Sequence, residues 1–155
     1  MKRLQRTLAV AAAATVIAFG ALAQEALRPE VGKPLQAAQD LIKAGKYKEA
    51  LAKVRDADAV GGKNGGETYL VERMRLAAAS GLGDADLAAR SFDAISGSAR
   101  VTPADKVRMV ESIAGSYYRA KDYAKAMQWS QRYFREGGTS GAIRQPRSHP
   151  WSPAG

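Results

Sequence analysis

At 155 residues the chain has room for one domain, and its formal charge of +9 makes it basic overall. It contains no cysteine, which excludes disulfides, thiolate metal sites and cysteine nucleophiles. A charge of this size fits general solubility or a weak attraction to anionic surfaces, and it does not by itself indicate nucleic-acid binding.

The N-terminus has the three parts of an export signal. Its positive end contains Lys2, Arg3 and Arg6. Residues 8–20 are nearly all apolar, and 21–23 give the small-x-small pattern that signal peptidase accepts. The apolar run is shorter than the ~20 residues of a spanning helix, so cleavage after Ala23 is favoured over an uncleaved membrane anchor. We therefore expect a signal peptide over 1–23, a linker over 24–30, and a periplasmic protein that meets the membrane only through its transient leader.

From residue 31 onward the chain contains three copies of a segment with a period of 38 residues. The related segments read AGKYKEALAKVRDA (44–57), LGDADLAARSFDAI (82–95) and AKDYAKAMQWSQRY (120–133). Apolar residues recur at helical spacing before and after each central turn, which predicts two helices packed face to face in every copy. The positions expected to pack the repeats are Tyr47, Ala50, Ala88, Tyr123 and Ala126.

The residues at the ends of these segments agree with helices. Thr102 followed by Pro103 is typical of a helix N-terminus, and Asp84 and Asp122 can cap the second helices of the second and third copies. The glycine-rich stretch 61–66 predicts a flexible connection between repeats. No stretch shows the alternation of a strand. We therefore predict an all-α protein with repeats over about 31–64, 69–102 and 107–136.

The stretches AGKYKEALAKVRDAD and AKDYAKAMQWSQRYF resemble the turn and second helix of tetratricopeptide repeats. That family places a glycine, a tyrosine, an alanine and a second small residue at these relative positions. The resemblance covers roughly residues 31–136 and is weakest in the second copy. The period of 38 exceeds the family's period of about 34, and the early tryptophan and Leu-Gly pair of the first helix are missing. The resemblance implies three helical hairpins stacked as a short right-handed α-solenoid that acts as a scaffold.

Residues for catalysis or metal binding are sparse. The only histidine is His149, which lies in the segment 137–155. The composition of this segment predicts a disordered tail, a truncated repeat protein or translation in an aberrant reading frame. Carboxylate pairs such as Asp56 and Asp58 stand two residues apart, so they diverge on a helix. The stretch GGKNGGET (61–68) lacks the Lys-Ser/Thr of a phosphate loop. We therefore expect no enzymatic activity, no cofactor and no metal site.

Polar residues on the first helix of each repeat are candidates for a partner-binding groove, because the family resemblance implies that these helices line a concave face. Seven residues fall there: Gln39, Lys43, Arg73, Arg108, Glu111, Tyr118 and Arg119. Arg73 and Arg108 would lie on neighbouring helices, where two guanidinium groups suit a carboxylate or an extended acidic segment. The alternative is an ordinary solvated charged surface.

Aromatic residues are concentrated in the third copy. They are Tyr117, Tyr118, Trp129, Tyr133 and Phe134. No capping helix is evident after this copy, although repeat arrays normally end in a polar cap. This absence predicts either docking onto a partner, including a second copy of the chain through repeat three, or the truncation of a longer repeat protein.

Taken together, these features predict a non-catalytic periplasmic adaptor that binds a protein or peptide on its concave face, with no role for nucleic acid. Two alternatives stay open. One is a basic module for polyanionic envelope components, whose binding would fall steeply with salt. The other is a truncated fragment of a longer tetratricopeptide-like protein, which would melt broadly at low temperature.

Overall fold

The computed structural model describes residues 26–139, which form six helices and no strand, so the all-α prediction is confirmed. The helices are α1 (Pro29–Lys43), α2 (Tyr47–Asp58), α3 (Gly65–Leu82), α4 (Ala85–Ile95), α5 (Pro103–Arg119) and α6 (Tyr123–Arg135). None of the helices in this range has both the length and the apolar character needed to cross a membrane. The predicted leader with its cleavage site after Ala23, and all but the first three residues of the predicted tail, lie outside the described residues.

The turns inside the three hairpins share one backbone conformation. Gly45, Gly83 and Lys121 stand 38 residues apart in the sequence and have φ values of 73°, 87° and 62°. The side chains of Asp84 and Asp122 each accept a backbone N–H bond from the first turn of the following helix, at 3.0 and 3.1 Å, which confirms both predicted caps. The period seen in the sequence is therefore also a period of the backbone at these turns.

Each later hairpin packs on the one before it. Helix α3 contacts both α1 and α2, while α5 contacts both α4 and α3. Ala50 and Ala88 are wholly buried and Ala126 is 7% exposed, so a small residue lies inside every hairpin. The largest hydrophobic cluster runs from α3 to α6 around the fully buried Phe92 and Ile113. The packing joins all six helices through one continuous series of contacts.

Helix α3 begins earlier than the sequence suggests. The sequence predicts a flexible connection over 61–66, but Gly65 and Gly66 are the first two residues of α3. The side chain of Asn64 accepts the N–H of Glu67 at 2.8 Å, and the N–H of Asn64 donates to Glu67 Oε2 at 3.0 Å. This reciprocal capping box satisfies two backbone donors and offsets the poor helix propensity of the two glycines.

The first helix also begins before the predicted boundary. Pro29 and Glu30 fall in the predicted linker over 24–30, yet they are the first two residues of α1. Proline is favoured at this position because its fixed φ suits a helix and its missing N–H needs no partner there. Helix α5 begins in the predicted way, since Thr102 Oγ1 accepts the first-turn N–H of Asp105 at 3.1 Å.

Candidate functional site

An open cleft of about 680 Å³ lies at the N-terminal end of α3. Its walls come from the segment before α1, the first half of α3, and the loop between α4 and α5. The lining residues are Ala26, Leu27, Gly66, Glu67, Tyr69, Leu70, Arg73 and Arg100. Three separate parts of the chain thus build one concave surface.

The carboxylate of Glu67 anchors one wall of this cleft. Glu67 is only 1% exposed, and it accepts hydrogen bonds from the backbone N–H, Nε and Nη2 of Arg28 at 3.0, 2.9 and 2.8 Å. The same guanidinium donates to the carbonyls of Gly61 and Gly62 at 3.2 Å each. The hydrogen bonds from the Arg28 side chain are the largest cause that lowers the pKa of Glu67, to about 2. Glu67 is therefore ionised at neutral pH, and both of its carboxylate oxygens accept hydrogen bonds. Its role is to hold the segment before α1 against α3.

The accessible part of the cleft combines positive charge with apolar surface. Arg73 is exposed, and its Nη1 lies 3.5 Å from the hydroxyl of Tyr69. Arg100, in the loop before α5, also lines the cleft. Leu27 is 44% exposed and Leu70 is half-buried, so apolar side chains lie beside the charges. Because the negative charge of Glu67 is already paired, this surface suits a ligand that carries both a carboxylate and an apolar group.

Of the seven residues predicted for the groove, Arg73 is the one that lines this cleft. Gln39 and Lys43 are exposed on the C-terminal half of α1, where Lys43 lies 4.0 Å from Asp40. Arg108 is 74% exposed and lies 3.6 Å from Asp105, one turn back on α5.

The other predicted groove residues lie along α5 and at its end. Glu111 is half-buried on α5, and Tyr118 is 44% exposed with its ring edge-on to Tyr123 at 5.6 Å. Arg119 is exposed but also donates to the carbonyl of Ser80 at 3.4 Å and to Ser116 Oγ at 3.0 Å. Arg119 therefore contributes to the contact between α5 and the end of α3. The predicted residues extend over the first helices of all three hairpins and do not form one cluster.

The residues predicted to pack the repeats differ in what they contact. Ala50 and Ala88 are wholly buried, as noted above. Tyr47 places its ring directly over Gly81 near the end of α3, where an added Cβ would lie 2.2 Å from Tyr47 Cε1. Tyr123 is 39% exposed and packs on Tyr118. Tyr47 thus joins the first hairpin to the second, whereas the contact of Tyr123 with Tyr118 stays within the third.

A second polar network joins α4, α5 and α6. The hydroxyl of Tyr117 and the ammonium of Lys125 both donate to Asp86 Oδ1 at 2.8 Å. Burial, followed by the hydrogen bond to Asp86, raises the pKa of Tyr117 far above its usual value. The hydrogen bonds from Lys125 and then from Tyr117 lower the pKa of Asp86. Neither group is poised to exchange a proton near neutral pH, so the network holds three helices together.

Among residues 26–139, no group of three or more His, Cys, Asp and Glu side chains has an arrangement that could hold a metal ion. The single histidine, His149, lies outside this range.

Sequence reasoning did not find Leu27, Arg28, Glu67 or Arg100. Asn64 and Glu67 at the spacing of a capping box gave a usable signal for one of them. Arg28 precedes the first predicted repeat and Arg100 follows the related segment 82–95, and nothing local connects either of them to α3. No protein-family model, curated protein or solved structure matches this chain.

Proposed function

We propose that this chain is a non-catalytic scaffold of the tetratricopeptide-like type that binds an acidic and partly apolar segment of a partner protein. The observation that carries the proposal is the cleft at α3, which is lined by the exposed Arg73 and by the apolar Leu27 and Leu70. Arginine binds carboxylates through two parallel hydrogen bonds, and the apolar neighbours exclude water from such a pair. A peptide lying in this cleft would contact three parts of the chain at once.

Two features support a short stack of tetratricopeptide-like hairpins. The left-handed turn residue recurs at equivalent positions in all three hairpins. Each of α3 and α5 packs against both helices of the hairpin before it, which is the way a helical repeat array buries its faces. In this arrangement α1, α3 and α5 share one surface, and the predicted groove residues extend it beyond the cleft, with Arg119 and Lys43 toward the C-terminal ends of these helices.

The compartment in this proposal is the periplasm, and it depends on the leader pattern over residues 1–23. The test is the mass of the mature protein recovered from fractionated cells. A mature chain that begins at Gln24 in the periplasmic fraction supports export. A full-length chain in the cytoplasmic fraction contradicts it.

The binding proposal is tested by in-cell crosslinking of the full chain, with Arg73→Gln as the variant. Loss of one charge-assisted contact weakens binding about tenfold or more, so the captured partner should be largely lost. Arg55→Gln is the matched control, because Arg55 is also exposed but lies on α2.

One dominant partner that is retained by Arg55→Gln and lost by Arg73→Gln supports the proposal. An equal loss in both variants, together with release by moderate salt, instead indicates a basic module for polyanions. Capture that is unchanged in Arg73→Gln contradicts recognition at the cleft.

A further inference from the structure

The segment before α1 enters the described part of the chain at the cleft itself. Ala26 and Leu27 are the first residues that the structure describes, and both line the cleft at α3. Arg28, which follows them, is held on the buried carboxylate of Glu67 by three hydrogen bonds, at 3.0, 2.9 and 2.8 Å. Consecutive Cα atoms are about 3.8 Å apart, so the residue before Ala26 starts at the wall of the cleft.

The residue at that position is Glu25, whose charge complements the cleft. Arg73 is exposed on the cleft wall. Among residues 26–139 its guanidinium contacts the hydroxyl of Tyr69 at 3.5 Å and pairs with no carboxylate. The carboxylate of Glu67 lines the same cleft, but it is bonded to Arg28. A further carboxylate that enters the cleft therefore gains a charge-assisted hydrogen bond with Arg73.

Two properties favour Glu25 over other occupants. Outside residues 26–139 it is the only Asp or Glu of the sequence, because the segment 140–155 carries Arg144 and Arg147 and no acidic side chain. Since Ala26 is already fixed beside the cleft, Glu25 is present there at a high effective concentration. A separate molecule loses more translational and rotational freedom on binding than Glu25 does.

We infer that the cleft at α3 binds the chain's own Glu25, whose carboxylate pairs with Arg73. Glu25 lies two residues after the predicted cleavage site, so it stays with the chain when the leader is removed. The segment is then an internal competitor, because a partner's carboxylate reaches Arg73 only by displacing Glu25. This competition rests on the function proposed above, whereas the contact between Glu25 and Arg73 does not.

The contact is tested by zero-length crosslinking of the full chain, with Arg73→Lys as the variant. A carbodiimide joins a carboxylate to an amine without a spacer, and lysine at this position keeps the positive charge while supplying the amine. Mass spectrometry of the digested monomer should find position 25 joined to position 73. Arg55→Lys is the matched control, because Arg55 is also exposed but lies on α2, and it should give no link to Glu25.

A second measurement leaves Arg73 in place. Phenylglyoxal modifies arginine side chains, and a paired guanidinium reacts more slowly than an unpaired one. Glu25→Gln should raise the rate of modification at Arg73 about twofold or more, since an ion pair at an exposed site is weak. Glu30→Gln is the control, because Glu30 is exposed on the first turn of α1 and should leave that rate unchanged. The rate at Arg55 serves as the reference within each sample.

Three results would overturn the inference. These are no link between positions 25 and 73 in Arg73→Lys, a link found only between two copies of the chain, and equal rates at Arg73 in Glu25→Gln and Glu30→Gln. The competition has its own readout, because Glu25→Gln should increase in-cell capture of the partner that Arg73→Gln loses. If neither the original chain nor Glu25→Gln captures a partner, the proposed function fails, while the crosslink still decides whether Glu25 lies in the cleft.

Discussion

Lys121 occupies a backbone conformation that the other two hairpins assign to glycine. Its φ of 62° matches the values of 73° and 87° at Gly45 and Gly83, but a side chain in this left-handed region crowds the following carbonyl. We expect Lys121→Gly to stabilise the protein. A non-glycine residue in this region costs about 1–2 kcal/mol of stability, and glycine removes that cost. Glycine also gives the unfolded chain more conformational freedom, which lowers the stability by about 0.4–1 kcal/mol. The net gain is about 0.5–1 kcal/mol.

Thermal unfolding of the full chain measures this effect, and a gain of this size raises Tm by about 3 °C or more. Lys121→Ala is the control, because it removes the charge and keeps the unfavourable φ, so its Tm should stay near that of the original chain. Gly83→Lys is the reverse change. An added Cβ there meets nothing within 4 Å, so the loss of stability is conformational alone and should be of similar size. Equal Tm values for Lys121→Gly and Lys121→Ala would refute this reasoning.

Two further predictions concern contacts between the hairpins. Gly81→Ala forces the ring of Tyr47 to move and should destabilise the chain, since overpacking costs about 1–3 kcal/mol against about 1 kcal/mol gained in helix propensity. In a Tyr47→Ala background, Gly81→Ala should instead stabilise the chain. Urea unfolding measures both effects, and an effect of the same sign in both backgrounds would contradict the contact between Gly81 and Tyr47. Because the pKa of Glu67 is lowered from 4.5 to about 2, the stability it contributes is complete above pH 4.5 and is lost as the pH falls through about 2. The difference in unfolding free energy between the original chain and Glu67→Gln should therefore shrink over this pH range, and a constant difference would show that Glu67 keeps an ordinary pKa.

The helices and turns could be predicted from the sequence because their signals are local and occur three times. The capping aspartates Asp84 and Asp122 and the N-terminal pair Thr102 and Pro103 all act within one helical turn. The start of α3 was missed for a physical reason. Consecutive glycines favour a flexible chain, and the capping box between Asn64 and Glu67 outweighs that preference.

The cleft could not be predicted in the same way. Its walls depend on Arg28, which bonds to Glu67 across 39 residues of sequence, and on Arg100, which lies in the loop between α4 and α5. Helical periodicity identifies which side of a helix is apolar, but it does not identify a loop that lies beside that helix. Arg119 illustrates a related limit, because its bond to Ser80 also depends on how α5 packs against α3.

The contact between Arg28 and Glu67 has a consequence for the order in which the chain folds. Arg28 precedes the first hairpin, but its partner belongs to the second, so residues 29–58 are synthesised before the pair can form. Until α3 begins, the guanidinium has no buried carboxylate to bind, and the carbonyls of Gly61 and Gly62 that it also contacts are not yet held in place. The first hairpin therefore reaches its final form only together with the start of the second. We therefore expect the first two hairpins to unfold as one cooperative unit.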